Sequence, residues 1–122
     1  MSIVLVIEDE RSHAKLFRDY LYATGWSPVL AYDAPQALQL AQEITPAAIL
    51  LDILLPSIDG RDLLVELRRI PALAETPIIA VSALTELHIK DSCLAAGADI
   101  FLAKPLSLSN LGKQLLLLTQ RP

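Results

Sequence analysis

Short apolar runs alternate along this chain with longer stretches in which apolar positions recur every three or four residues. Ile3-Val4-Leu5-Val6-Ile7 is continuous, rich in β-branched residues, and stops at Glu8-Asp9-Glu10. Such a run reads as a strand buried on both faces that ends in a polar loop. Ala14, Phe17 and Leu21 then fall at helical spacing, and Gly25 supplies a left-handed stop where the pattern ends. A weaker strand is expected over 29–32, followed by Asp33 and Gln36 as a capping-box pair for a helix carrying Leu38 and Ala41. Ala48-Ile49-Leu50-Leu51 is the third strand and ends at Asp52. After a loop with Pro56 and Asp59-Gly60, Leu63, Leu64 and Leu67 form the next helical stripe. Pro77 leads into a strand Ile78-Ile79-Ala80-Val81 that ends at Ser82. A helix over 86–96 stops at Gly97, a short strand over 100–102 runs up to Lys104-Pro105, and Leu108, Leu111, Leu115 and Leu118 form the last stripe.

Five strand–helix units in succession imply a mostly parallel sheet with helices on both faces, because each crossover is right-handed and must cover the sheet. The expected fold is a doubly wound α/β domain spanning residues 1–122, without internal repeats or linkers. At 53% apolar and 20% charged residues, the chain carries more than enough core-forming side chains for one domain. No apolar run reaches the length of a bilayer span, and the first run is followed at once by acids, so no membrane insertion is expected and a cytoplasmic location fits. Cys93 is the lone cysteine; it can form no internal disulfide and reads as a small buried hydrophobe. A formal charge of −4 without a Lys/Arg cluster argues against direct nucleic-acid binding.

In doubly wound sheets ligands sit beyond the carboxyl ends of the strands, where strand order reverses. There the sequence places Glu8 and Asp9, Asp52, Ser82 and Lys104, each at or just past a different strand. Three carboxylates on one rim raise one another's pKa unless a cation neutralises them. Oxygen-only ligands favour a hard ion such as Mg2+ over zinc. The acids after the first strand replace the Gly-rich amides of a nucleotide or flavin site. A carboxylate nucleophile, a metal, a lysine and a hydroxyl are together the parts that phosphoryl transfer needs. Singly, each residue is more simply a cap, a turn residue or a solvated charge; jointly, at successive strand ends, they mark a site.

On these residues the chain resembles the receiver domain of bacterial response regulators along essentially its whole length. Glu8-Asp9, the stretch Asp52-Ile53-Leu54-Leu55-Pro56 with Asp59-Gly60, Ser82-Ala83 and Lys104-Pro105 fall in that family's order and spacing. The resemblance implies a flavodoxin-like sheet of order 2-1-3-4-5 with five helices. It implies that Asp52 accepts a phosphoryl group from a histidine kinase or histidine phosphotransfer protein. Asp9 and Asp52 would hold Mg2+ with the backbone carbonyl of Leu54, and Glu8 would act on the metal through water. Lys104 would pair with Asp52 and then with the phosphoryl group, beside a cis Lys104–Pro105 bond. Ser82 and Phe101 would form the switch that changes a surface offered to a downstream protein or output domain. Phe101 reads otherwise as an ordinary side chain on a half-buried edge strand.

Two further functions compete. A haloacid-dehalogenase-like phosphatase carries a second Asp two residues after its nucleophile; here Leu54 stands there, and the chain is read as a non-enzyme. A pseudo-receiver that binds partners without phosphorylation is the alternative, opposed by the intact set Asp9, Asp52, Ser82 and Lys104. Leu54 and Leu84, two residues beyond Asp52 and Ser82, can orient no attacking water, so a long-lived phosphorylated state is expected. His13 and His88 read as surface residues with no partner in the constellation. Leu115-Leu116-Leu117-Leu118 surrounds most of a helix circumference, so some of these side chains point away from the sheet, and the family's use of this helix makes a homodimer a candidate.

Overall fold

The structure, a computed structural model, describes residues 2–120. Its elements run β1 (Ile3–Ile7), α1 (Arg11–Ala23), β2 (Ser27–Ala31), α2 (Ala34–Glu43), β3 (Ala48–Asp52), α3 (Gly60–Arg68), a 3-10 turn (Pro71–Leu73), β4 (Ile78–Ser82), α4 (Ile89–Ala96), β5 (Ile100–Ala103) and α5 (Leu108–Thr119). All strand pairs are parallel, in the order β2-β1-β3-β4-β5. The doubly wound fold expected from the sequence pattern and the strand order implied by the resemblance are thus observed.

Two boundaries differ from expectation, each for a local reason. Strand β2 begins at Ser27, before the expected Val29, and contains Pro28. Because β2 lies at the sheet edge, the missing proline N–H leaves no ladder partner unsatisfied. Helix α4 starts at Ile89 rather than near residue 86 because His88 adopts a left-handed backbone, φ 65°, that a helix cannot continue through.

Alternation along the strands divides the core into two layers. Leu5, Ile7, Ile49, Leu51, Ile78 and Ala80 face α2, α3 and α4, where Ala37, Ala41, Leu63, Leu64, Leu67 and Cys93 are buried. Val4, Val6, Ala48, Leu50, Ile79 and Val81 face α1 and α5, meeting Phe17, Leu21, Leu111 and Leu115. The lone Cys93 is indeed a buried free thiol. Since α1 covers one face and α3 the other, the chain leaves adjacent strands β1 and β3 in opposite directions. A crevice opens between them at their carboxyl ends.

Candidate functional site

Three acids meet in that crevice. Glu8 and Asp9 follow β1, and Asp52 is the last residue of β3. Glu8 and Asp52 are buried, Asp9 half-buried, and one oxygen from each lies within 4.8 Å of the others. Burial, then the hydrogen bond and charge of Asp52, push the Glu8 carboxyl from its ordinary value of 4.5 up to about 7. The rim therefore takes up a positive charge readily, as a proton or as a cation. Three carboxylates within reach of one ion, with no nitrogen or sulfur ligand among them, form an acidic pocket suited to a hard divalent metal. Leu54 lines the same cavity.

Lys104, from the segment after β5, reaches across the crevice. Its Nζ donates to Asp52 Oδ2 at 2.8 Å and to Glu8 Oε2 at 3.1 Å, with its side chain 14% exposed. Burial alone would lower its pKa; the hydrogen bond and charge of Asp52, then those of Glu8, outweigh this and raise it. The ammonium is thus fixed as a cation beside the carboxylate. Its backbone N–H donates to the Ser82 carbonyl at 2.9 Å, which ties the lysine to the end of β4. The Lys104–Pro105 peptide is cis, as expected.

The loop after Asp52 is shaped by backbone contact. The Leu54 amide donates to Asp52 Oδ1 at 2.9 Å, so one carboxylate oxygen faces its own loop while the other faces Lys104. Gly60, the first residue of α3, packs on this loop and donates its N–H to the Ile53 carbonyl at 2.8 Å. A Cβ at Gly60 would lie 2.5 Å from Ile53 Cα and 2.8 Å from its carbonyl oxygen. Only glycine lets α3 start against the strand end that carries Asp52.

Ser82 is fully buried at the end of β4, and its Oγ accepts from the Leu84 amide at 3.0 Å. Phe101 is half-buried on edge strand β5 and packs against the core layer that contains Ile89 and Cys93 of α4. The two residues expected to act as a switch thus lie on adjacent strands, with Phe101 against the element whose preceding loop starts at Ser82.

Three features were not anticipated. His13, taken from sequence as a residue without a partner in the constellation, places Nδ1 3.2 Å from Lys104 Nζ. The first turn of α1 rises beside the segment after β5, a proximity across 91 positions that local sequence cannot reveal. His88 is exposed as expected, although its backbone caps α4. A second feature is Arg61 of α3, which donates to Asp59, to Glu86 in the loop before α4, and to Ser92 Oγ at 3.1 Å. Arg68 is the third: it donates to the carbonyls of Leu73, Thr76 and Gly97 and pairs with Asp99 at 3.0 Å, joining the end of α3 to the strands beyond it.

A doubly wound parallel sheet whose switch point holds an acidic cluster and a lysine bridging two of its carboxylates defines a receiver-type signalling domain. The family profile of the response regulator receiver domain matches residues 4–116. The chain belongs to this family. The polar-differentiation response regulator DivK of Brucella anthropi is 32% identical over 105 residues, 86% of this chain and 85% of that protein. Among solved structures, the Francisella response regulator 1452 receiver domain superimposes with a TM-score of 0.91 at 30% identity, covering 99% of this chain and 98% of that one. Chemotaxis protein CheY4 of Vibrio cholerae gives 0.91 at 27% identity, covering 97% and 98%. Among the described residues, no helix is long and apolar enough to cross a membrane.

Proposed function

We propose that this receiver domain takes a phosphoryl group from a histidine kinase or histidine phosphotransfer protein onto Asp52, with Mg2+ bound, and thereby switches a surface read by a downstream protein or output domain. The observation that carries this reading is the arrangement around Asp52: one carboxylate oxygen held by the Lys104 ammonium at 2.8 Å, with Glu8 and Asp9 placed to share a cation with it. Asp9, Asp52 and the Leu54 carbonyl would hold Mg2+, with Glu8 acting through water. When bound, the ion neutralises charge on the phosphoryl oxygens. Asp52 attacks phosphorus through a side-chain oxygen while the donor's imidazole leaves with the electron pair. Lys104 stays protonated and turns from the carboxylate to a phosphoryl oxygen.

A phosphoryl oxygen beside Ser82 offers its hydroxyl a charge-assisted bond in place of the Leu84 amide contact, so the two states differ in energy at one residue. Motion of Ser82 with the loop before α4 would let Phe101 move inward against that helix. The domain acts as an interaction module rather than a turnover enzyme, in the cytoplasm where its donors reside, and recognises protein rather than nucleic acid. Beryllofluoride, which mimics a phosphoryl group on a carboxylate, tests the reading. With Mg2+ it should shift the backbone amide resonances of Asp52, Ser82 and Phe101 together, and an Asp52→Asn variant should show no such shift. Shifts that persist in Asp52→Asn would refute Asp52 as the acceptor.

A further inference from the structure

A lysine ammonium has three N–H donors. At Lys104 two go to Asp52 and Glu8; in the third direction stands His13 Nδ1, 3.2 Å away. The same nitrogen lies 3.4 Å from Glu10 Oε2, so it can accept from the lysine or donate to the acid, but not both. Glu10 already accepts from Ser12 Oγ at 2.8 Å, and its side chain is 57% exposed to water. Lys104 has little water to replace a lost partner. With its ring proton on Nε2, a neutral imidazole offers the Nδ1 lone pair to Lys104.

We infer that His13 is a positioning residue for Lys104: its Nδ1 supplies a neutral acceptor beside the two carboxylates and aims the ammonium into the phosphoacceptor crevice. The inference rests on the reading of Asp52 as the phosphoacceptor. Its consequence follows from competition for lone pairs. The two carboxylates that hold Lys104 are the groups that must also face a divalent cation and an incoming phosphoryl group. His13 lines the same cavity but is not one of the three gathered acids, so its Nδ1 can stay on the ammonium when they face the cation. As Glu8 and Asp52 turn to the cation, Nδ1 keeps the ammonium in place and leaves its other donors free for phosphoryl oxygens. In the reaction with acetyl phosphate, an Asp52 oxygen forms a bond to phosphorus, the bond from phosphorus to the acetyl oxygen breaks, and acetate leaves with the electron pair. Lys104 neither gains nor loses a proton.

The test uses two variants of nearly the same shape. His13→Asn puts an acceptor oxygen where Nδ1 stands; His13→Leu puts a methyl group there. Initial rates of phosphoryl uptake from acetyl phosphate with Mg2+ are read by intact mass. Loss of one hydrogen bond to a charged group predicts a roughly tenfold slower rate for His13→Leu, with His13→Asn within about twofold of the wild type. A nitrogen-15 spectrum of the imidazole supplies a readout that a purely structural role would not move: Nδ1 should resonate as an unprotonated acceptor and shift in Lys104→Met. Equal rates for His13→Leu and wild type, equally slow Asn and Leu variants, or an Nδ1 signal unchanged by Lys104→Met would each overturn the inference while leaving Asp52 the acceptor. A wild-type protein that takes up no phosphoryl group fails at the earlier step, and the phosphoacceptor reading falls with it.

Discussion

Glu8 gives the site a measurable pH signature. Its carboxyl is raised from 4.5 to about 7, first by burial and then by Asp52, so between those values the folded protein holds a proton that the unfolded chain has released. Stability from this group is therefore complete below about pH 4.5 and declines as pH rises towards 7, by at most about 1.4 kcal/mol per unit. In Mg2+-free buffer, denaturant titrations across this window should show a steeper loss for the wild type than for Glu8→Gln; identical pH profiles would contradict the assignment. Added Mg2+ should restore more stability to the wild type at pH 7.5 than at pH 5, because the cation takes the proton's place. At Leu54 the side chain is exposed beside the acidic crevice, where it can hold no water. Leu54→Asn should shorten the lifetime of phosphorylated protein by about fivefold, the worth of one hydrogen bond to the attacking water. Decay followed by intact mass checks this, and an unchanged or longer lifetime would count against it. The acids, Ser82 and Lys104 were legible in the sequence because each lies at or just past the end of a strand that an apolar run delimits. His13 was not, because its partner comes from the far end of the chain.

At the scale of elements, α3 ties the loop after Asp52 to the loop before α4. Its first residue, Gly60, sits directly on the Ile53 backbone, and its second, Arg61, bridges Asp59, Glu86 and Ser92. The Arg61 guanidinium holds the Asp59 carboxyl below the usual carboxylate range. Gly60→Ala should cost about 2 kcal/mol or more, since backbone rather than a flexible side chain must yield; an unchanged unfolding midpoint would contradict the contact. Glu86→Gln removes a partly exposed ion pair, so global stability should change little. Hydrogen exchange should nevertheless quicken across residues 84–89, where the pair pins an otherwise exposed loop; unchanged exchange there would remove Arg61 as its anchor. The links from Arg61 to Glu86 and Ser92 and from Arg68 to Gly97 and Asp99 could not be read from the sequence, because each joins positions far apart and long charged side chains carry no periodic signal. Strand and helix cores were legible because period alone sorts them. In α5 the period also separates roles: Leu115 is buried, whereas Leu116 and Leu117 are 51% and 64% exposed. Leu115→Ala should cost about 3 kcal/mol, and Leu117→Ser under about 0.5.

For the whole molecule, topology does the positioning. Parallel order β2-β1-β3-β4-β5 brings the ends of β1, β3 and β4 to one rim although they lie far apart in sequence, and the two core layers fix that rim from both sides. The order itself came from the family resemblance; the sequence pattern gives alternation and parallel pairing, which several orders satisfy. The central claim is that this rim makes Asp52 a Mg2+-dependent phosphoacceptor. Intact mass after incubation with acetyl phosphate, with and without Mg2+, tests it most directly. One phosphoryl group should be added to the wild type only with Mg2+, and none to Asp52→Asn. A folded wild-type protein that gains no mass, or an Asp52→Asn variant that gains the same mass, would contradict it.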